Sequence, residues 1–385
     1  MNSVPKMNFN EIKNLEEKYY ANVFNRLPVA VTCGKGMYLW DVNDKKYLDM
    51  FAGIAVSSLG HAHPEIVKSI TGQAGKLIHA SNWLYTIPQL ELAEILCKIS
   101  GMNKTFFTND GTEAIECALK LAHRMTGKTR FISTKGAFHG RTLGSLGVTH
   151  SEKCRKPFRR ILRYRSVEFI DYNNSESLRD AIKKDRKKGI AAVIVEPIQG
   201  EAGVIISEEG YLFEIREITE ENDILLIGDE VQTGFGRTGK MFAFEHEKVK
   251  PDIMCLAKGI AGGFPMGACL FRKGLDFEKG EHGGTFLGSP LACAVSKTVI
   301  ETIINDNLVE NAEKQGKYLL GGLRDKGFEA RGKGLMLGVN VDDGKKKVLE
   351  LIEKGVLAIH SGNTVRIIPP LIIEKDHCDE FLEKF

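Results

Sequence analysis

Cysteine pairs are what this sequence most clearly lacks. Its eight cysteines are scattered through 385 residues and none falls in a Cys-x-x-Cys spacing. A structural zinc site and a disulfide framework are therefore not indicated, and a reducing compartment fits. Charge of one sign is also missing. Lys and Arg number 53 against 50 Asp and Glu, for a net charge of +3. That balance gives no footing for a nucleic-acid partner. No apolar run approaches the ~18 residues of a membrane span. Met1 to Tyr20 is polar, with no apolar core of signal-peptide length, so a cytoplasmic protein is expected. No repeats or low-complexity segments appear. His61 and His63 have no thiol or acidic partners at ligand spacing, so no metal site is expected.

What is present is an ordinary globular composition, 43% hydrophobic and 27% charged. The length suits one large domain and a smaller one. Short apolar runs alternate with helical patterns through the middle of the chain. The runs are Lys104–Thr108, Arg130–Ser133, Ala191–Val195, Ile224–Ile227, Ile253–Leu256 and Gly267–Phe271. This alternation predicts an α/β fold, a mostly parallel sheet flanked by helices. Residues 10–22 read as a helix, and Gly34 to Asp49 as a hairpin. Ala292–Ile303 reads as a long helix followed by a second, and Leu335–Val341 and Val365–Ile368 as strands. Residues 50–285 then form the large domain. Residues 1–49 and 286–385 form a smaller α+β domain from both chain ends.

Four segments could carry chemistry. Ile224-Leu-Leu-Ile-Gly-Asp-Glu-Val-Gln232 is an apolar strand ending in two carboxylates. The carboxyl edge of a parallel sheet is where open α/β folds bind ligands. Asp229 there could hold a metal, a ribose hydroxyl or a protonated ring nitrogen, or simply cap the next helix. In the second segment a strand delivers Lys258 into a glycine-rich turn. An amine with lowered pKa condenses with aldehydes, whereas a solvated lysine at a loop start does nothing.

The third, Phe106-Phe-Thr-Asn-Asp-Gly-Thr-Glu-Ala-Ile-Glu116, opens a helical pattern. Free backbone N–H groups at Gly111 and Thr112 could take a phosphate. Equally, Asn109 or Asp110 could serve as N-cap, with Glu113 completing a capping box. The fourth, Lys135-Gly-Ala-Phe-His-Gly-Arg-Thr142, puts an aromatic, a histidine and an arginine on one loop, able to stack on a flat ring and clamp a carboxylate. The basic stretch 153–165 reads as a solvated loop, or as a surface for an acidic partner.

Together these segments resemble the class III (subgroup II) aminotransferases among the fold-type-I pyridoxal-phosphate enzymes, over nearly the whole chain. The signature is Asp229-Glu-Val-Gln-Thr-Gly-Phe-Gly-Arg-Thr-Gly239, with Lys258 twenty-nine positions beyond Asp229, together with Val195-Glu-Pro-Ile-Gln-Gly-Glu201. Within the class, Gly53 to Pro64, Ser81-Asn82, Gly136 to Thr142, His282 to Cys293 and Arg366-Ile-Ile-Pro-Pro-Leu371 resemble the acetylornithine aminotransferases.

The resemblance implies pyridoxal 5'-phosphate as cofactor, bound to Lys258 as a Schiff base, with Lys258 also acting as general base. It implies that Asp229 pairs with the pyridinium nitrogen, and it places Glu230 among the cofactor contacts. Gln232 lies near the phenolic oxygen, and Val231 and Phe138 cover the two ring faces. Gly111 and Thr112 hold the phosphate, and Thr285 reaches the phosphate of the neighbouring subunit in a homodimer with active sites at the interface. Arg141 binds a distal carboxylate, and Gly284 lies near the substrate. Arg366 binds the α-carboxylate of glutamate, and Glu201 masks it when the other substrate is present.

The implied reaction moves the δ-amino group of N-acetylornithine to 2-oxoglutarate, giving glutamate, in arginine biosynthesis. Rivals within the chemistry are succinylornithine, succinyldiaminopimelate, a carrier-bound lysine precursor and free ornithine. Phe24, where ornithine aminotransferases have a tyrosine, speaks for an acylated substrate. An aminomutase is a rival outside it, against which the Arg141–Arg366 pair speaks, and a non-catalytic binder is another. Three departures from the family pattern bear on the site. Asp110 replaces a serine in the phosphate turn, and beside a phosphate it is expected to turn away as a cap. Ile115 replaces an asparagine, and Gly284 replaces a serine.

Overall fold

The computed structural model describes residues 7–162, 167–185, 187 and 189–385. Its centre is a seven-stranded sheet: β1 Lys104–Thr108, β2 Arg130–Thr134, β3 Val167–Ile170, β4 Ile190–Val195, β5 Leu225–Asp229, β6 Ile253–Leu256 and β7 Gly267–Phe271. The order across the sheet is β1-β7-β6-β5-β4-β2-β3. β7 runs antiparallel to both its neighbours, and the remaining pairings are parallel. Burial on both faces explains the composition of the central strands. In β4, Ile-Ala-Ala-Val-Ile-Val is buried at every position, the pattern of a strand covered by helices on each side.

The α/β expectation and six of the seven strands match this architecture. The sequence gives no signal for β3. It is four residues long, Val-Glu-Phe-Ile, and half-buried except at Ile170, so it has neither a long apolar run nor clean alternation. The helix expected at 10–22 spans Phe9–Tyr19 and buries none of its residues. The hairpin expected from Gly34 is three-stranded and starts at Val31. The long helix runs Pro290–Asn305, capped by the Ser289 hydroxyl, and a second follows at Leu308–Asp325.

The chain ends meet. Lys46–Asp49 of the N-terminal strands pairs in parallel with Val356–Leu357 near the C-terminus. A four-stranded antiparallel sheet includes Met336–Asn340 (β8) and Thr364–Ile367 (β9), with Gly338 opposite Arg366. Among the described residues no helix is long and apolar enough to cross a membrane. Of the basic stretch, Glu152–Arg155 is a short helix continued by a 3-10 turn at Lys156–Phe158; Arg163 and Arg165 lie outside the described residues.

The sheet's direction builds the site. The carboxyl ends of β1, β2, β4, β5 and β6 all open on one edge. The segments that follow them carry Gly111, Phe138, Glu196, Asp229 and Lys258 in turn.

Candidate active site

These segments surround a cavity of about 420 Å³. Its lining includes Gly111, Thr112, Phe138, Arg141, Glu201, Asp229, Val231, Gln232 and Lys258. Residues far apart in the sequence are thus brought to one wall.

The helix α1, Gly111–Thr126, begins at the cavity. Asp110 is its N-cap, and its carboxylate accepts from Glu113 N–H at 2.9 Å. The Glu113 side chain reaches back to Asn109 N–H at 2.7 Å, one residue earlier than a capping box would have it. Asp110 thus spends its charge on the helix. The first-turn amides of Gly111 and Thr112 remain oriented for an anion. Gly111 is obligatory here: a Cβ would lie 2.7 Å from Val231 Cγ1. The Thr112 hydroxyl is already in a polar group, 2.8 Å from Thr142 Oγ1.

Asp229 ends β5 with its side chain 5% exposed. Its Oδ2 accepts from His139 Nδ1 at 2.6 Å, and its Oδ1 accepts from Val231 N–H at 3.0 Å. A carboxylate has no proton to give, so the bond places the imidazole proton on Nδ1. Lys258 follows β6 at φ +46°, a left-handed conformation that costs a non-glycine residue of order 1 kcal/mol. Burial holds its amine below the ordinary lysine pKa, against the opposing pull of Glu201 and Asp229. A lowered amine pKa is what condensation with an aldehyde requires.

Two arginines flank the cavity. The Arg141 guanidinium lies 5.8 Å from the centroid of the Phe138 ring. Arg366, on β9, is almost wholly buried; Nη1 donates to Glu201 Oε1 at 2.7 Å and Nη2 to Gln232 Oε1 at 2.9 Å. Glu201 is itself 37% exposed, so the partner of a buried cation is the half of the pair with room to move.

Two residues assigned to this site from sequence, Glu230 and Gly284, lie outside the cavity; Thr285, expected at a neighbouring subunit's phosphate, also lies outside this chain's own cavity. Glu230 turns away from the cavity: it is fully buried, accepts from the Thr233 hydroxyl, and accepts from Phe244 N–H at 2.9 Å. Its neighbour Asp229 faces the cavity, so the alternation of a strand sends Glu230 to the other side. Gly284 and Thr285 line a second cavity with Asn82, Gln89 and Phe106, not the one that holds Lys258.

Burial pushes the Glu230 carboxyl up to about 7. A raised carboxyl pKa favours the protonated fold, so its contribution is complete below ~4.5 and lost as pH rises through ~7. In Glu230→Gln, thermal unfolding without cofactor should therefore lose less stability than wild type between pH 5 and 8. The difference is on the order of 3 kcal/mol. Parallel pH profiles for the two proteins would contradict it.

Two residues of the site escape the reading of the sequence. His139 is there only a loop histidine, and its bond to Asp229 needs the fold. Glu196 lines the cavity, and its signal is legible: like Asp229, it closes an apolar strand run.

The buried acid paired to a histidine, the amine held below its usual pKa and the anion-binding helix start suit a phosphorylated, cationic aromatic aldehyde. Similarity to known proteins agrees. The family model "Aminotransferase class-III" matches residues 19–385.

The chain belongs to the class-III aminotransferases.

This aminotransferase is 45% identical to the acetylornithine aminotransferase of Methanopyrus kandleri, over 97% of each chain. It is also 45% identical to that of Methanosarcina mazei, over 97% of this chain and 95% of the other. Among solved structures it resembles the acetylornithine aminotransferase of Elizabethkingia anophelis, with a TM-score of 0.87, 32% identity and 98% of both chains covered. The ornithine aminotransferase of Toxoplasma gondii superposes with a TM-score of 0.92 at 29% identity, over 98% of this chain and 94% of the other. The enzyme is a pyridoxal-phosphate-dependent aminotransferase.

Proposed function

We propose that the amino donor is N-acetylornithine, that 2-oxoglutarate accepts the amino group as glutamate, and that the step belongs to arginine biosynthesis. The observation that carries the two-substrate part of this reading is the Arg366–Glu201 pair, and the acetyl group is taken from the names of the relatives. One site has to serve two amino substrates. Glutamate presents an α-carboxylate beside its amine. An acylated ornithine presents only methylene near its reacting δ-amine. An arginine left bare against methylene would be a buried, unpaired cation, which is costly. Glu201 supplies the missing anion for the donor, and moves aside when glutamate brings its own. Arg141, which lines the same cavity, would bind the carboxylate at the far end of either substrate, a group that a guanidinium fork suits. The names of the relatives point to the same donor.

In this reading Gly111 and Thr112 would hold the cofactor phosphate, Phe138 and Val231 the two ring faces, Asp229 the ring nitrogen, and Gln232 the phenolic side. The cofactor supplies an electron sink for the bond being broken. Asp229 keeps the ring nitrogen charged, because a buried anion stabilises a proton opposite it. Lys258 holds and returns the proton at the substrate carbon.

A homodimer completes the proposal. Trp83 is 94% exposed and Tyr85 96%, with Ile87 and Leu90 beside them on the segment that borders the Thr285 cavity. Large apolar side chains so exposed suit burial against a second copy, and Thr285 would then reach the partner's phosphate. All eight cysteines are unpaired, in keeping with a reducing cytoplasm. We read the two chain ends as the smaller domain that brings Arg366 to the site.

The test is competition among donors. Purified enzyme with cofactor and 2-oxoglutarate is offered N-acetylornithine, succinylornithine, succinyldiaminopimelate and ornithine, and glutamate formation is measured. N-acetylornithine should give the highest kcat/KM. A higher value with free ornithine would overturn the donor assignment.

A further inference from the structure

The buried Glu196 carboxylate bridges two functional loops. Its Oε1 accepts from Phe138 N–H at 2.9 Å, and its Oε2 accepts from Gly200 N–H at 3.3 Å. The first tie fixes the backbone under the ring-stacking Phe138. The second fixes the residue just before Glu201.

Gly200 has a further constraint: a Cβ there would lie 2.1 Å from Gln232 Oε1, the same oxygen that accepts from Arg366. A continuous line of contacts therefore runs from Phe138 through Glu196 and Gly200 to Gln232, Glu201 and Arg366. Glu201 lies on the turn of a two-stranded hairpin, Ile198–Gln199 with Ile205–Ile206. Glu196 holds the root of that hairpin. Tyr172 Oη fixes the same root from outside, its one proton shared between the carbonyls of Glu196 and Pro197 at 3.0 and 2.8 Å.

We infer that Glu196 is a positioning residue that holds the Glu201 mask in place over Arg366 and keys it to the loop carrying Phe138. This inference rests on the roles proposed above for Phe138, Glu201 and Arg366. A two-oxygen acceptor is required because both partners are N–H donors; an amide in its place can accept from only one of them and turns a donor toward the other. The groups that face Glu196 are His139 from the loop after β2, Asp229 from the end of β5, and Lys258. Burial and Asp229 raise the carboxyl above its usual range, and His139 opposes them. A neutral side chain would spare the fold that burial cost, but it could not supply both acceptor atoms.

Loosening the mask acts differently on the two half-reactions. The acylated donor needs Glu201 in place. Glutamate needs it gone. In Glu196→Gln, kcat/KM for N-acetylornithine should fall relative to that for glutamate by about fivefold, the equivalent of one hydrogen bond. Glu196→Asp, which keeps the charge but shortens the reach, should move the ratio the same way. In a Glu201→Gln background the Glu196 substitutions should no longer change the ratio, because the mask through which they act is gone. The visible absorbance of the bound cofactor should titrate at a shifted midpoint in Glu196→Gln. An unchanged ratio in both single variants, or an equal change with and without Glu201, would overturn the inference. Failure of the underlying reading looks different: Glu201→Gln alone would then leave the ratio where wild type has it.

Discussion

Lys258→Ala is expected to lower kcat at least about 10³-fold with every amino donor, since it removes both the covalent anchor and the proton carrier. The position argues for this on two counts. Its backbone adopts φ +46°, and its amine is held below its ordinary pKa by burial. A lysine kept there at a cost to the fold has no structural reason to be a lysine. Alanine removes the buried amine and adds no clash, so the variant should melt no lower than wild type without cofactor. The visible band of the lysine-bound cofactor should disappear, and exogenous amines should partly restore turnover. An unchanged band, or kcat within about tenfold of wild type, would remove Lys258 from its proposed role.

Asp229→Asn is the second large effect. The substitution keeps size and its one oxygen can still accept from His139 Nδ1–H, while its NH2 then meets Val231 N–H; that lost bond should cost about 1–3 kcal/mol locally and leave the fold around β5 in place. What it removes is the negative charge opposite the ring nitrogen. Taking away one preorganised charge of this kind costs about 10²–10³-fold in kcat. KM for the amino donor should change much less, because Asp229 bonds His139 and Val231 and neither of the arginines proposed to bind substrate. Steady-state kinetics of the two half-reactions would show it. A loss confined to KM, with kcat intact, would mean that Asp229 binds substrate instead of tuning the cofactor.

How much of this is legible in the sequence follows from the kind of residue involved. Asp229 and Lys258 each close an apolar run, and a parallel sheet sends such positions to its carboxyl edge. Glu196 closes a run in the same way and carries the same signal. Glu230 shares that signal with Asp229, yet its oxygens are taken by the Thr233 hydroxyl and Phe244 N–H away from the cavity, which leaves Asp229 to face it. The cavity that Gly284 and Thr285 line is not legible in the sequence. Their relation to the site depends on which wall of the sheet they cross, and the fold sets them in a separate cavity beside exposed Trp83 and Tyr85.

By itself, then, the sequence determined the alternating α/β architecture and the candidate chemistry of Lys258, Asp229 and the Gly111–Thr112 turn. Those are local properties: a buried strand needs a continuous apolar run, and a helix start needs a cap and free amides. Only the tertiary structure decided the long-range pairs. His139 meets Asp229 across 90 positions, and Arg366 meets Glu201 across 165. No periodicity records such contacts. They arise because the loops of neighbouring strands converge on one sheet edge and β9, from the far end of the chain, carries an arginine there.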